Sequence, residues 1–169
     1  MKSEKSGKKN LLRPSDLENL ILGKRILIDT NIIIYLTDRI WPYEELSRSL
    51  FSLIEEGRAE GVISLVSVAE VMQGPLKMGM QDKALKVREY LLNFPHILIQ
   101  EVDKEVLSYI GTDKRVDWSN LRVMDALIIA SGLNAKAERI VSNDLRFRKA
   151  VAKDLLISFD LDNPENLRS

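Results

Sequence analysis

Asp29 is the only charge between Ile26 and Leu36, in the run I-L-I-D-T-N-I-I-I-Y-L. An ionised carboxylate in so apolar a stretch costs several kcal/mol unless it is paired, hydrogen-bonded or bound to a cation. The flanking residues read as a buried strand over 25–28 that runs into a second apolar element, the start of a helix at 32–36. Asp29-Thr30-Asn31 then lies at the C-terminal end of the strand, which is where open α/β sheets bind ligands. Asp29 is either a cap for the next helix or one wall of a site.

The rest of the chain alternates between strand and helix patterns. Ser15-Asp16-Leu17-Glu18 has the S-x-x-E form of a capping box, followed by Leu20 and Ile21, with Gly23 as a stop. Helices are predicted over 43–56, through Glu70, around Leu85–Leu92, after an Asp103 cap, over 121–137 and over 145–152. Strands are predicted at 62–66, 96–102, 139–142 and 154–159. Residues 73–81, Q-G-P-L-K-M-G-M-Q, read as a Gly- and Met-rich loop, and 111–120 as a polar turn. This order predicts a three-layer α/β/α fold with a mainly parallel sheet of about five strands and right-handed crossovers. One main domain is expected over 24–160, with a tail and short helix at 1–23 and a polar tail at 161–169. Within the first segment, residues 1–10 read as disordered.

Composition removes several chemistries. The 169 residues contain no cysteine, so disulfides, thiolate metal sites and a Cys nucleophile are excluded. His96 is the only histidine and begins a strand, a place for a structural role. There is no P-loop, no G-x-G-x-x-G and no G-x-S-x-G. No apolar run reaches the ~18 residues of a membrane span, and no signal-peptide pattern opens the chain, so a cytoplasmic protein with no membrane partner is expected. Net charge is zero, but residues 1–25 carry seven Lys/Arg against three Asp/Glu. The body is therefore mildly acidic and cannot bind nucleic acid by bulk charge.

Three further acids share the setting of Asp29. Glu70 is the only charge in V-I-S-L-V-S-V-A-E-V-M, Asp125 the only one in V-M-D-A-L-I-I-A-S-G-L, and Asp144 follows the apolar strand at 139–142. Singly, each has a structural reading: Asp144 as the cap of 145–152, Glu70 and Asp125 as isolated polar positions on buried helices. In a parallel sheet all four can reach one edge. Four acids a few ångströms apart cannot all stay ionised unless a cation sits among them. An all-oxygen set without Cys or His suits Mg²⁺ or Mn²⁺. Thr30, Asn31, Ser142 and Asn143 could orient metal-bound water, and Arg146, Arg148 and Lys149 could hold phosphates. Such a site suits phosphodiester hydrolysis, with Glu70 or Asp125 accepting the proton of the attacking water.

In order, I-L-I-D-T-N, S-V-A-E, M-D-A-L-I-I-A and V-S-N-D-L-R-F resemble the motifs of PIN-domain nucleases, and of the VapC-like toxin ribonucleases in particular. The resemblance spans residues 24 to 159. It implies a PIN fold, Mg²⁺- or Mn²⁺-dependent endonucleolytic cleavage of RNA, and Asp29, Glu70, Asp125 and Asp144 as catalytic, metal-binding acids. Ser142 matches a position where that family often has Ser or Thr. The resemblance also implies a small antitoxin partner and a homodimer. The 73–81 loop and Trp41-Pro42-Tyr43 are candidate contact surfaces, although core or rim packing is the favoured reading of Trp41 and Trp118. An RNA-processing PIN nuclease, or a non-catalytic PIN-like binding module, is the alternative; retention of all four acids speaks against the module.

Overall fold

The structure, a computed structural model, describes residues 9–162. Its centre is β1 (Arg25–Ile28), paired with β2 (Glu60–Ser64) on one side and β4 (Arg139–Val141) on the other. β3 (Ile97–Gln100) and β5 (Leu156–Ile157) complete a five-stranded sheet in the order β3-β2-β1-β4-β5, with every pairing parallel. Strand order reverses at β1: the chain builds outward through β2 and β3, then returns to add β4 and β5 on the other flank. The crevice between the C-terminal ends of β1 and β4 is thus the topological switch point of the sheet, where ligands bind in open α/β folds.

Residues Ile26, Leu27 and Ile28 are all fully buried, because both faces of the sheet are covered. The strands' alternation sorts their side chains into two cores. Ile26, Ile28, Ile63 and Val141 join the core formed with α1 (Pro14–Ile21), α2 (Thr30–Thr37), α3 (Glu44–Glu55), α4 (Leu65–Lys77) and α5 (Gln81–Leu92). Leu27, Val62 and Ile140 join the core formed with α7 (Val123–Asn134) and α8 (Leu145–Ala150). The short α6 (Lys104–Ser108) packs on α7. The expected three-layer α/β/α fold with a five-stranded parallel sheet is the observed one.

Several local expectations need correction. α1 begins at Pro14, which takes the first helical position, and the N-cap residue Arg13 makes no side-chain capping bond. The proline's fixed φ and missing N–H suit that position. Ser15 is therefore inside the helix, no capping box forms, and Glu18 pairs instead with Arg58. β2 ends at Ser64 because the Ser64 hydroxyl accepts from the Val66 N–H and caps α4. The 73–81 segment is mostly helix: α4 continues through Gly74 and Pro75 to Lys77, and only Met78–Met80 turn. Pro75, which has no N–H to donate back along the helix, is buried in the last turn, and Gly79 at φ +72 closes the turn that follows.

The N-terminal segment is tied to the sheet. Leu12 N–H donates to the Phe159 carbonyl at 2.8 Å, and Leu12, Leu17 and Ile21 enter the first core. Of residues 1–10, expected to be disordered, 1–8 lie outside the described residues, as does most of the polar tail at 161–169, whereas Lys9 donates to the Tyr43 hydroxyl and the Asn10 carbonyl accepts from the Leu161 N–H. His96 is structural: its Nδ1 lies 2.9 Å from the Ile54 carbonyl and its ring packs against Gly57.

Helix α7 can approach β1 only because residue 132 is glycine. A Cβ there would lie 2.6 Å from Leu27 Cδ2 and 2.9 Å from Leu27 Cβ. Gly132→Ala gains helix propensity of about 1 kcal/mol but overpacks a rigid contact. The expected net effect in urea denaturation is a loss of about 1–2 kcal/mol. Unchanged stability would mean that α7 does not seat against Leu27 as described.

Candidate active site

Each of the four acids is placed by a local rule of chain geometry. Asp29 is the N-cap of α2; its Oδ1 accepts from the Thr30 N–H at 2.8 Å. Asp144 is the N-cap of α8 and accepts from the Arg146 N–H at 2.7 Å. Asp29 directly follows β1, and Asp144 stands just beyond Ser142 and Asn143 after β4, so both caps lie at the switch point. Asp125 lies in the first turn of α7, and Glu70 faces α2 from α4. The structural reading of Asp29 and Asp144 as caps is thus correct, and capping leaves a second carboxylate oxygen on each.

That second oxygen of Asp29 is held across the sheet. The Ser142 hydroxyl, fully buried just beyond β4, donates to Asp29 Oδ2 at 2.6 Å and accepts from the Asp144 N–H at 3.2 Å. One serine thereby fixes the spacing of Asp29 and Asp144. Thr30 does the same for the other flank: its Oγ1 donates to Glu70 Oε1 at 2.8 Å and lies 3.0 Å from the Ser67 hydroxyl.

Asp29 is 4 % exposed, and burial raises its carboxyl to about 7. The bonds from Ser142 and Thr30 pull the other way, while the charges of Asp144 and Asp125 push it higher. Asp125, also 4 % exposed, has one basic partner: Arg122 Nε donates to its Oδ2 at 3.1 Å. Asp125, Asp144 and Glu70 all favour the charged form of Arg122. The four acids therefore share one electrostatic environment.

Among the described residues no three acids converge tightly enough to form a preformed metal cage. The donor chemistry nevertheless fits a hard divalent cation. The oxygens are carboxylate, the buried Asp29 pairs with no cation among the described residues, and its ionisation is opposed by two neighbouring acids. Asp29, Asp125, Asp144 and Glu70 are the residues that could hold one.

The auxiliary residues divide. Thr30 and Ser142 position acids. Asn143 faces elsewhere: its amide donates to Asp160 Oδ2 at 3.0 Å and to the Tyr35 hydroxyl at 3.3 Å, and its carbonyl accepts from the Asp160 N–H. Asn31 Oδ1 makes only a long contact, 3.5 Å, with the Asn143 N–H. Arg146 Nη1 lies 3.9 Å from Asp144. Arg148 turns away to the Asp162 carbonyl, with its Nη1 buried and unpartnered among the described residues, and Lys149 is exposed.

Comparison with known proteins gives the fold a family. The profile of the PIN domain matches residues 26–153. The chain belongs to the PIN domain family. Solved structures agree on the fold. VapBC2 from Rickettsia felis, bound to a DNA fragment from its promoter, is 18 % identical with a TM-score of 0.61, covering 80 % of this chain and 99 % of that one. Mycobacterium tuberculosis VapC20, a sarcin-ricin loop cleaving toxin, is 13 % identical with a TM-score of 0.55, covering 73 % and 93 %. FitAcB from Neisseria gonorrhoeae is 24 % identical with a TM-score of 0.54, covering 80 % and 96 %. Among curated proteins, none matches the chain.

In this PIN domain, sequence reasoning missed Ser67 and Arg122. Ser67 carried a faint signal, three residues before Glu70 and hence on its helical face. Arg122 stands three residues before Asp125, the same i,i+3 relation, and could have been found by it.

Titration of Asp29 gives a signed test. Its folded value, about 7, lies above the ordinary 3.8. Its contribution is fully present below about pH 4 and is lost as pH rises through about 7, on the order of a few kcal/mol in all. In urea denaturation with EDTA, the PIN domain should therefore lose stability relative to Asp29→Asn across that window. A pH-independent difference would mean that Asp29 is already ionised at its base.

Proposed function

We propose that this PIN domain is a divalent-metal-dependent endoribonuclease, the toxin of a toxin–antitoxin pair. The observation that carries the reading is the buried Asp29, bonded through Ser142 across the switch point, with Asp125 and Asp144 pressing on its charge. Such an arrangement is stable at neutral pH only as a protonated acid or as a cation site. Membership of the PIN family and the VapBC2 and VapC20 neighbours support the second.

When bound, Mg²⁺ or Mn²⁺ would supply an acidified water and charge neutralisation at the phosphate. Asp29, Asp125, Asp144 and Glu70 are the ligand set. Ser142 keeps Asp29 and Asp144 in register, and Thr30 restrains Glu70. Glu70 is only partly buried and has an oxygen free of Thr30, which suits it to take the proton of the attacking water. The leaving ribose oxygen departs as the new P–O bond forms. A small antitoxin and a second copy of the chain are the proposed partners. Trp41, 88 % exposed, and Met78, 75 % exposed, offer apolar surface for such contacts. A cytoplasmic site of action is part of the same reading. No described helix is long and apolar enough to cross a membrane.

Two measurements test the proposal. RNA should be cleaved with Mn²⁺ and spared in EDTA, and Asp125→Asn should lower the rate roughly a hundredfold or more. Cleavage that survives both controls would defeat the assignment. Mn²⁺ should also raise the melting temperature, and its binding near pH 6 should release protons because Asp29 begins largely protonated. Absence of any Mn²⁺-induced shift in melting would sink the metal site.

A further inference from the structure

Arg122 occupies an unusual position among the basic residues of the site. It is the N-cap residue of α7, yet its side chain makes no capping bond. Its Nε donates instead to Asp125 Oδ2 at 3.1 Å. That bond anchors one corner of the guanidinium. Nη1 and Nη2 have no hydrogen-bond partner among the described residues, and the side chain is 57 % exposed against 6 % for Asp125. The fork is thus fixed at its base by a buried acid and open at its tip.

The candidates anticipated from sequence compare poorly. Arg148 is spent on the Asp162 carbonyl. Arg146 approaches only Asp144, and at 3.9 Å. The carboxylates of Asp125, Asp144 and Glu70 all favour the charged form of Arg122. A phosphate approaching this acidic mouth meets repulsion from every carboxylate, so a fixed guanidinium at the rim supplies attraction where the acids do not. Planar, two-point recognition of phosphate oxygens is what an arginine fork provides and a lysine does not.

We propose that Arg122 is the phosphate-binding residue of this cleft, holding a non-bridging oxygen of the RNA backbone with the open end of its guanidinium while Asp125 steers it. This rests on the nuclease reading of the same site. It makes Arg122 a substrate-binding residue that also stands as a resident positive charge beside the metal ligands. Removing it should therefore weaken RNA binding without weakening metal binding.

The experiment uses the full chain with Arg122→Gln and Arg122→Lys. RNA binding is followed by fluorescence anisotropy in a Glu70→Gln background, so that the oligonucleotide survives, and Mn²⁺ binding by calorimetry without RNA. Arg122→Gln should weaken RNA binding roughly tenfold or more. It should make the slope of log K against log salt about 0.7 shallower, the signature of one lost single-strand phosphate contact. Mn²⁺ should bind the same variant as tightly as the parent or tighter, because a neighbouring cation has gone. Arg122→Lys should retain the salt slope but not the full affinity.

A structural brace for Asp125 would instead weaken Mn²⁺ and RNA together, and that result overturns the proposal. So does an unchanged RNA affinity and salt slope in either variant. If Arg122→Gln does not fold in EDTA, Arg122→Lys decides: loss of affinity with the slope retained supports the proposal, and parental affinity refutes it. Failure of the nuclease reading is distinct, since the parent itself would then show no Mn²⁺-dependent melting shift.

Discussion

The hydrogen bond from Ser142 Oγ to Asp29 Oδ2 at 2.6 Å extends the β1–β4 pairing to the point where the functional geometry is decided. Each half presents an acid at the end of a strand because each strand gives way to a helix whose N-cap is an aspartate. Capping alone would leave the two carboxylates to drift with their own helices. The buried serine makes their separation a property of the sheet, since it sits between Val141 in β4 and the Asp144 amide. Like charges brought together in an apolar setting raise the free energy of the metal-free fold. The protein tolerates that because the surrounding cores are fully packed on both faces of β1.

The two flanks of the cleft are built differently. On the α4 side, the neutral hydroxyl of Thr30, itself 3.0 Å from the Ser67 hydroxyl, holds Glu70 without offsetting its charge. On the α7 side, Asp125 is deeper and is countered by Arg122. The depth of Asp125 follows from the close seat of α7 on Leu27, which a glycine at 132 permits. An acid that is buried, paired and rigid suits a ligand role. One that is partly buried and held by neutral groups suits proton transfer. The division of labour proposed for the acids follows from these surroundings rather than from their residue types.

Much of this was legible in the sequence because burial and charge conflict there so visibly. A lone acid in an apolar run is costly, so the positions of Asp29, Glu70, Asp125 and Asp144 stood out before any fold was known. The alternation of strands and helices, and hence the parallel sheet, followed from hydrophobic period. What stayed hidden were effects with no period. Pro75 and Gly74 look like breakers, yet they sit in the last turn of α4, close to where the helix ends in any case. Pro14 outranked Ser15 as the start of α1 because a fixed φ competes with a side-chain cap. Asn143 stands beside Asp144 in sequence but serves Tyr35 and Asp160, and no local pattern encodes that direction. Arg122 was overlooked because an exposed arginine carries no burial conflict of its own.

The Asp29–Ser142 bond also spans 113 residues of chain. During synthesis the first acid is made early, whereas its partner serine and Asp144 lie near the far end of the domain. β1 can pair with β2 as soon as both are available, but the β4 side of the crevice cannot exist until that late segment has left the ribosome. A nascent chain thus carries its acids apart, with neither the electrostatic strain of the finished site nor its chemistry. For a protein whose proposed activity destroys RNA, assembly of the cleft as a late event of folding keeps incomplete chains harmless to the machinery producing them.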